Sequence, residues 1–272
     1  MLTNLMNTIN YVYYEVWQEK GDPRVDSYPL LHGGPWKVLT IVGLYIFFAK
    51  YWGPKMMKNS AAWECRKAMI IHNSVLIVLN LIGFVFGLVV TSFGAEAWSC
   101  KSLDTSDVSL KTRLTIALGY LYFITKFMDF LDTLFFVLRK KNSHISGLHV
   151  FHHAIMPLTA WAGCKFFPGG NSAMTPLVNS FVHAVMYTYY LCAALDIPKE
   201  KYIHLKRHIT EVQLIQFTLV LSHSLYSLLN PSCEWPRAMA IAEGAEAITF
   251  LKMFSDFYIH TYLTKKVKDK SS

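Results

Sequence analysis

The chain has 272 residues, 53% hydrophobic and only 16% charged, with a formal net charge of +8. A soluble domain of this length carries more charge, and here the apolar residues fall into long runs separated by short basic segments, the pattern of one polytopic membrane domain over residues 1–272. Nucleic acid is not expected as a partner, because no basic-aromatic motif, Cys/His finger or recognition-helix pattern accompanies the charge. The cysteines at 65, 100, 164, 192 and 233 show no CxxC or metal-ligand spacing, which argues against zinc or an iron–sulfur cluster.

Residues 1–20 alternate polar and aromatic side chains and lack the apolar stretch of a cleavable signal peptide, so the first apolar span is expected to act as the insertion signal. That span covers 36–52, with Trp36, Lys37, Lys50, Tyr51 and Trp52 placed to anchor or snorkel at its two ends. Six more spans are expected at 68–95, 114–138, 145–165, 172–195, 210–233 and 238–263, the third, fourth and seventh carrying ionisable residues. Seven crossings put the termini on opposite sides. The connections holding Lys50, Lys55, Lys58, Arg66 and Lys67, then Arg139, Lys140 and Lys141, then Lys199, Lys201, Lys206 and Arg207, fall with the Lys265-to-Lys270 tail on one side. By the positive-inside rule that side is cytosolic and the N-terminus is lumenal. Cys100 and Cys233 then both face an oxidising lumen, and a disulfide between them is expected. Lys268 and Lys270 resemble a dilysine retrieval signal, a weak motif in a tail that reads equally as a solvated charge run.

Ionisable groups within spans are costly and mark function by default. Lys126, Asp129 and Asp132 are three residues apart and share one helix face; an internal salt bridge and the polar wall of an active-site chamber are both open. His149, His152 and His153 cluster on one side of the fourth span, a pattern suited to metal ligation, proton transfer or nucleophilic attack. His183, Tyr187 and Tyr190 form a stripe able to donate and accept hydrogen bonds, or simply to pack. Thr210, Gln213 and Gln216 open the sixth span, as substrate contacts or as interhelical glue. Gly83 and Gly87 in the second span suit close helix packing or a homo-oligomer.

These clusters, in this order, together with Asp22-Pro23-Arg24-Val25, Gly53-Pro54-Lys55 and the run from Phe135 to Lys141, resemble the very-long-chain fatty acid elongase family from about residue 20 to 265. The resemblance implies a 3-oxoacyl-CoA synthase of the endoplasmic reticulum membrane, all-α, with seven transmembrane helices, six of them forming a barrel around an acyl tunnel. The implied reaction is the decarboxylative condensation of malonyl-CoA with an acyl-CoA, the first step of the elongation cycle, with His152 as nucleophile through an acyl-imidazole and His149, His153 and His183 assisting. Lys126, Asp129, Asp132, Tyr187, Tyr190, Gln213 and Gln216 are the expected substrate-side residues, and Arg139 and Lys206 are candidates for the CoA phosphates. No cofactor and no metal is implied; the partners are acyl-CoA, malonyl-CoA, the lipid bilayer and the other enzymes of the cycle. The chain departs from the family pattern at Asp129, where Glu is usual, and at Ala62, where Pro is common. Phe151 resembles the branch acting on saturated and monounsaturated chains.

Two other classes compete. Membrane di-iron desaturases and hydroxylases also carry HxxHH, but they gather about eight ligands from several boxes, and the other histidines here (32, 72, 144, 183, 204, 208, 223 and 260) form no second box. A seven-helix receptor or transporter would use the intramembrane charges as a ligand or ion path, and no inverted repeat supports it.

Overall fold

The computed structural model describes residues 2–264; the dilysine pair at 268 and 270 lies outside them. Every regular element among the described residues is helical. In chain order the α-helices are α1 (Leu2–Asn10), α2 (Val16–Lys20), α3 (Trp36–Phe47), α4 (Gly53–Met56), α5 (Arg66–Val90), α6 (Leu110–Met128), α7 (Phe130–Leu138), α8 (Gly147–Phe166), α9 (Met174–Ala194), α10 (Leu205–Leu229) and α11 (Arg237–Tyr258). π-helical turns at Phe48–Trp52 and Ile259–Leu263 prolong α3 and α11, so these two run close to the limits expected from sequence.

Three boundaries differ from expectation. The second span ends at Val90 instead of 95, because Ser92, Phe93 and Gly94 all take positive φ, a left-handed run that no α-helix continues through. The third span is two helices meeting at Asp129. The sixth begins upstream at Leu205, where Arg207, His208 and Glu211 obscure it in the sequence. There Glu211 takes hydrogen bonds from Arg207 Nε and Tyr258 Oη, both at 2.8 Å.

The chain divides into two compact units, interleaved in sequence: residues up to Cys65 with Ser102–Ser172, and Arg66–Lys101 with the described residues from Ala173 onward. In the first, α8 packs against α6 and α3, and α7 against α4. The Asp22-Pro23-Arg24-Val25 segment is tied into this unit by polar contacts. Asp22 Oδ1 accepts from the Arg24 amide, the Arg24 guanidinium pairs with Asp22 at 2.6 Å, and the same guanidinium donates to the carbonyls of Asp104 and Asp107. Lys165, fully buried at the end of α8, pairs with Asp26 at 2.6 Å, and its carbonyl accepts from the Asp22 amide. A buried ammonium needs such a partner.

In the second unit α9 packs on both α5 and α10, and α10 on α11. A Cβ on Gly83 would lie 3.0 Å from Ser180 Oγ, and one on Gly87 would lie 3.0 Å from Leu177 Cδ1. The small residues therefore let α5 and α9 approach within one chain. Arg66 caps α9 by donating to the Ala194 carbonyl and pairing with Asp196 at 2.7 Å. Cys100 and Cys233 are joined by a disulfide across 133 residues of sequence.

α5 and α10 are inside-out for a water-soluble protein. On α5 the exposed stripe is Ile71, Val75, Val78, Ile82, Phe86 and Val89, whereas His72, Asn73 and Asn80 are buried. On α10, Ile215, Leu219, Leu225 and Leu229 are exposed while Thr210, Gln216, His223 and Ser224 are buried. Repeating apolar exposure over polar burial is expected where the surrounding solvent is hydrocarbon. These same two helices are each long and apolar enough to cross a bilayer.

Candidate active site

In the first unit the histidine cluster is set by the start of α8. Ser146 caps that helix, its side chain accepting from the His149 amide at 3.2 Å, a contact that satisfies an otherwise orphaned donor of the first turn. His149 and His153, one turn apart, lie with ring centroids 4.3 Å from each other, and His152 lies 5.4 Å from His153. His153 is buried, and His149 and His152 are partly buried. Pro157 follows inside the same helix and lacks the N–H that would otherwise reach the His153 carbonyl.

The facing wall is α6, α7 and α3. Lys126 Nζ pairs with Asp129 Oδ2 at 3.2 Å, both side chains buried, and sits 4.6 Å from the centre of the Tyr122 ring. Of the two readings left open for this cluster, the internal salt bridge is present. Asp132, also buried, opens α7, and next to it Thr133 Oγ1 lies 2.7 Å from His149 Nε2 and 3.1 Å from the Tyr45 hydroxyl. Arg139 ends α7 as its C-cap residue and is partly exposed. Phe151, on the same helix as the histidines, is 43% exposed.

The second unit has its own buried polar wall. His183 and Tyr187 are buried with rings 5.8 Å apart, Tyr190 continues the stripe at 5.8 Å, and Gln216 accepts from Asn179 Nδ2 at 3.4 Å. Gln213 is partly exposed and directs its amide at the Met186 sulfur, 3.9 Å away. Lys206 is an exposed residue near the start of α10 whose carbonyl accepts from Tyr262. To this wall α5 adds His72, whose ring meets Tyr187 edge-on at 5.9 Å, with Asn73 and Asn80. Asn73 Nδ2 and Asn80 Oδ1 are buried and have no hydrogen-bond partner among the described residues. They leave one amide donor and one acceptor for a polar group of a ligand.

Sequence reasoning missed His72, Asn73, Asn80, Asn179 and Tyr45. Four are uncharged polar residues within apolar stretches, and the fifth is an aromatic that reads as packing. The available signal was their spacing, since Asn73 and Asn80 are two helical turns apart and so share a face. Among the described residues no group of three or more His, Cys, Asp or Glu is arranged to hold a metal ion.

Residues 30–270 match the family model described as ELO, the GNS1/SUR4 family. The chain is a member of the ELO family. Its similarity to named relatives extends over nearly its whole length. It is 39% identical over 266 residues to very long chain fatty acid elongase 4 of Homo sapiens, covering 97% of this chain and 82% of that one. To very long chain fatty acid elongase 7 of Drosophila melanogaster it is 36% identical over 265 residues (96% and 80%), and to elongase 1 of Mus musculus 34% over 263 residues (96% and 93%). With the inside-out burial of α5 and α10, ELO membership makes this a membrane protein, and the histidine and Lys–Asp clusters of the first unit lie within the matched region.

Proposed function

We propose that this ELO protein is the condensing enzyme of very-long-chain fatty acid elongation, joining malonyl-CoA to a long-chain acyl-CoA with loss of carbon dioxide. The observation that carries the reading is the packing of three histidines against one another, in a unit that also holds a buried lysine–carboxylate pair and in a chain whose relatives bear the elongase name.

His152 is the proposed nucleophile. A neutral imidazole nitrogen attacks the thioester carbonyl, the C–S bond breaks, and the CoA thiolate leaves with a proton, giving an acyl-imidazole. Malonyl-CoA then loses carbon dioxide, and the electron pair of the broken C–C bond passes to the α-carbon. That carbon attacks the acyl carbonyl, the C–N bond breaks, and the departing imidazolate takes up the one proton that the overall reaction consumes, which regenerates the neutral imidazole and leaves a 3-oxoacyl-CoA two carbons longer. The chemistry requires a polarised carbonyl and a stabilised enolate, roles for which Lys126, in the same unit as His152, is the proposed group. Arg139 is proposed for the CoA phosphates.

We also propose that α3, α5, α6 with α7, α8, α9, α10 and α11 are seven crossings of the endoplasmic reticulum membrane. The basic connections on one side, and a disulfide that needs an oxidising compartment on the other, support this orientation.

The test is mass spectrometry of products from microsomes given malonyl-CoA and acyl-CoAs of graded length and unsaturation, without NADPH, comparing wild type with His152→Ala at matched expression. Wild type is expected to form the 3-oxoacyl-CoA and the variant to lose at least about 100-fold, the range of a removed nucleophile. Product from both would remove His152 from the nucleophile's role; product from neither would overturn the elongase reading.

A further inference from the structure

Thr133 Oγ1 stands between two groups: the Tyr45 hydroxyl at 3.1 Å and His149 Nε2 at 2.7 Å. All three belong to the first unit, on α3, α7 and α8. Tyr45 is 6% exposed and Thr133 fully buried, and the Tyr45 ring is held by stacking on Phe130 at 4.1 Å. Neither hydroxyl is in contact with bulk solvent, so each proton must be placed within the protein.

A hydroxyl oxygen carries one hydrogen and two acceptor sites, and a neutral imidazole carries one hydrogen on one of its two nitrogens. Thr133 Oγ1 can therefore take the Tyr45 proton while either donating to or accepting from His149 Nε2, and in both arrangements the same pair of contacts holds Nε2 at one point. The buried phenol proton then has Thr133 Oγ1 as its acceptor, where a stranded donor would cost about 1–3 kcal/mol.

We propose that Tyr45 and Thr133 are positioning residues of the active site, a two-hydroxyl relay that anchors His149 at Nε2 and fixes the angle of its ring. The inference rests on the condensing-enzyme reading and deepens it. His153 packs on this fixed ring at 4.3 Å and His152 packs on His153, so the relay also sets the stack on which the proposed nucleophile sits. A carboxylate performs the same service for many catalytic and metal-binding histidines. Here two neutral hydroxyls do it, without placing another charge at membrane depth.

The experiment is condensation kinetics on full-length wild type, Tyr45→Phe, Thr133→Val, Thr133→Ser and the Tyr45→Phe/Thr133→Val double variant, with thermal unfolding of each purified protein in detergent. Tyr45→Phe and Thr133→Val are each expected to lower kcat about 10-fold or more, the size of one lost oriented hydrogen bond, with KM for acyl-CoA within about twofold. The double variant should be no slower than the worse single one, because both interrupt one chain. Thr133→Ser keeps the hydroxyl and should restore kcat to within about threefold of wild type. Losses that multiply in the double variant, a serine variant as slow as the valine one, or a fall in kcat matched by loss of folded protein would each overturn the relay. Variants that all turn over like wild type would overturn it while leaving the condensing-enzyme reading intact. A wild type that forms no 3-oxoacyl-CoA would overturn that reading and the relay with it.

Discussion

Lys126 and Asp129 are almost completely buried, at 1% and 2% side-chain exposure, and pair at 3.2 Å. Removing one partner strands the other charge, whereas removing both leaves an apolar site that packs at little cost. Lys126→Met should therefore destabilise the protein by about 3–5 kcal/mol, and Lys126→Met with Asp129→Leu should recover most of that without recovering turnover. Thermal unfolding in detergent, measured beside the condensation assay, checks both; a double variant as unstable as the single one would show that the pair is not the unit of stability. Residues of this kind were legible in the sequence, because a charge inside an apolar run is costly enough to stand out, as were His149, His152, His153 and His183. Tyr45, Asn73 and Asn80 were not. An uncharged polar residue in a 20-residue apolar window costs too little to break the pattern, and its importance depends on which neighbour it meets. Burial shows this in three dimensions, and sequence spacing only hints at it.

At the scale of helices, the sequence specified α8 and α9 to within a few residues, because an apolar run bounded by loop residues or charge fixes where hydrocarbon ends. It did not show the break at Asp129, since a Lys–Asp–Asp series at spacing three is equally consistent with one continuous helix. The glycine pair on α5 carried two readings, and the structure uses it between α5 and α9: Gly87 faces Leu177 and Gly83 faces Ser180, with 3.0 Å between each neighbour and the place a Cβ would occupy. Gly87→Leu should therefore lower stability by about 1–3 kcal/mol through overpacking, with no change in oligomeric state on size-exclusion chromatography. Gly83→Ala should cost less, because the Ser180 hydroxyl can rotate away from a single methyl. A Gly87→Leu protein that kept its thermal stability but lost an oligomer peak would assign the motif to contact between copies of the chain.

Over the whole chain, the interleaving of the two units was the feature least available from sequence. Residues 66–101 leave the first unit's run, join the second, and the chain then returns at Ser102, a path set by packing partners and not by any local signal. The return is marked by the Cys100–Cys233 disulfide, beside which the Glu234 amide donates to the Cys100 carbonyl at 3.1 Å. The bridge thus ties the connection after α5 to the connection between α10 and α11, within the second unit. Closing a loop this long removes about 4–5 kcal/mol of chain entropy from a fully unfolded reference. A chain already confined to a bilayer has less entropy to lose, so the measured contribution should be smaller. Cys100→Ser, Cys233→Ser and the double variant should all melt at the same reduced temperature, and reduction of wild type should lower its Tm to that value while leaving the variants unchanged. A difference between the two single variants would show that one sulfur contributes through local packing. An unchanged wild-type Tm on reduction, with both thiols shown by alkylation to have opened, would mean that the helix packing of α5, α9, α10 and α11 alone holds the second unit together.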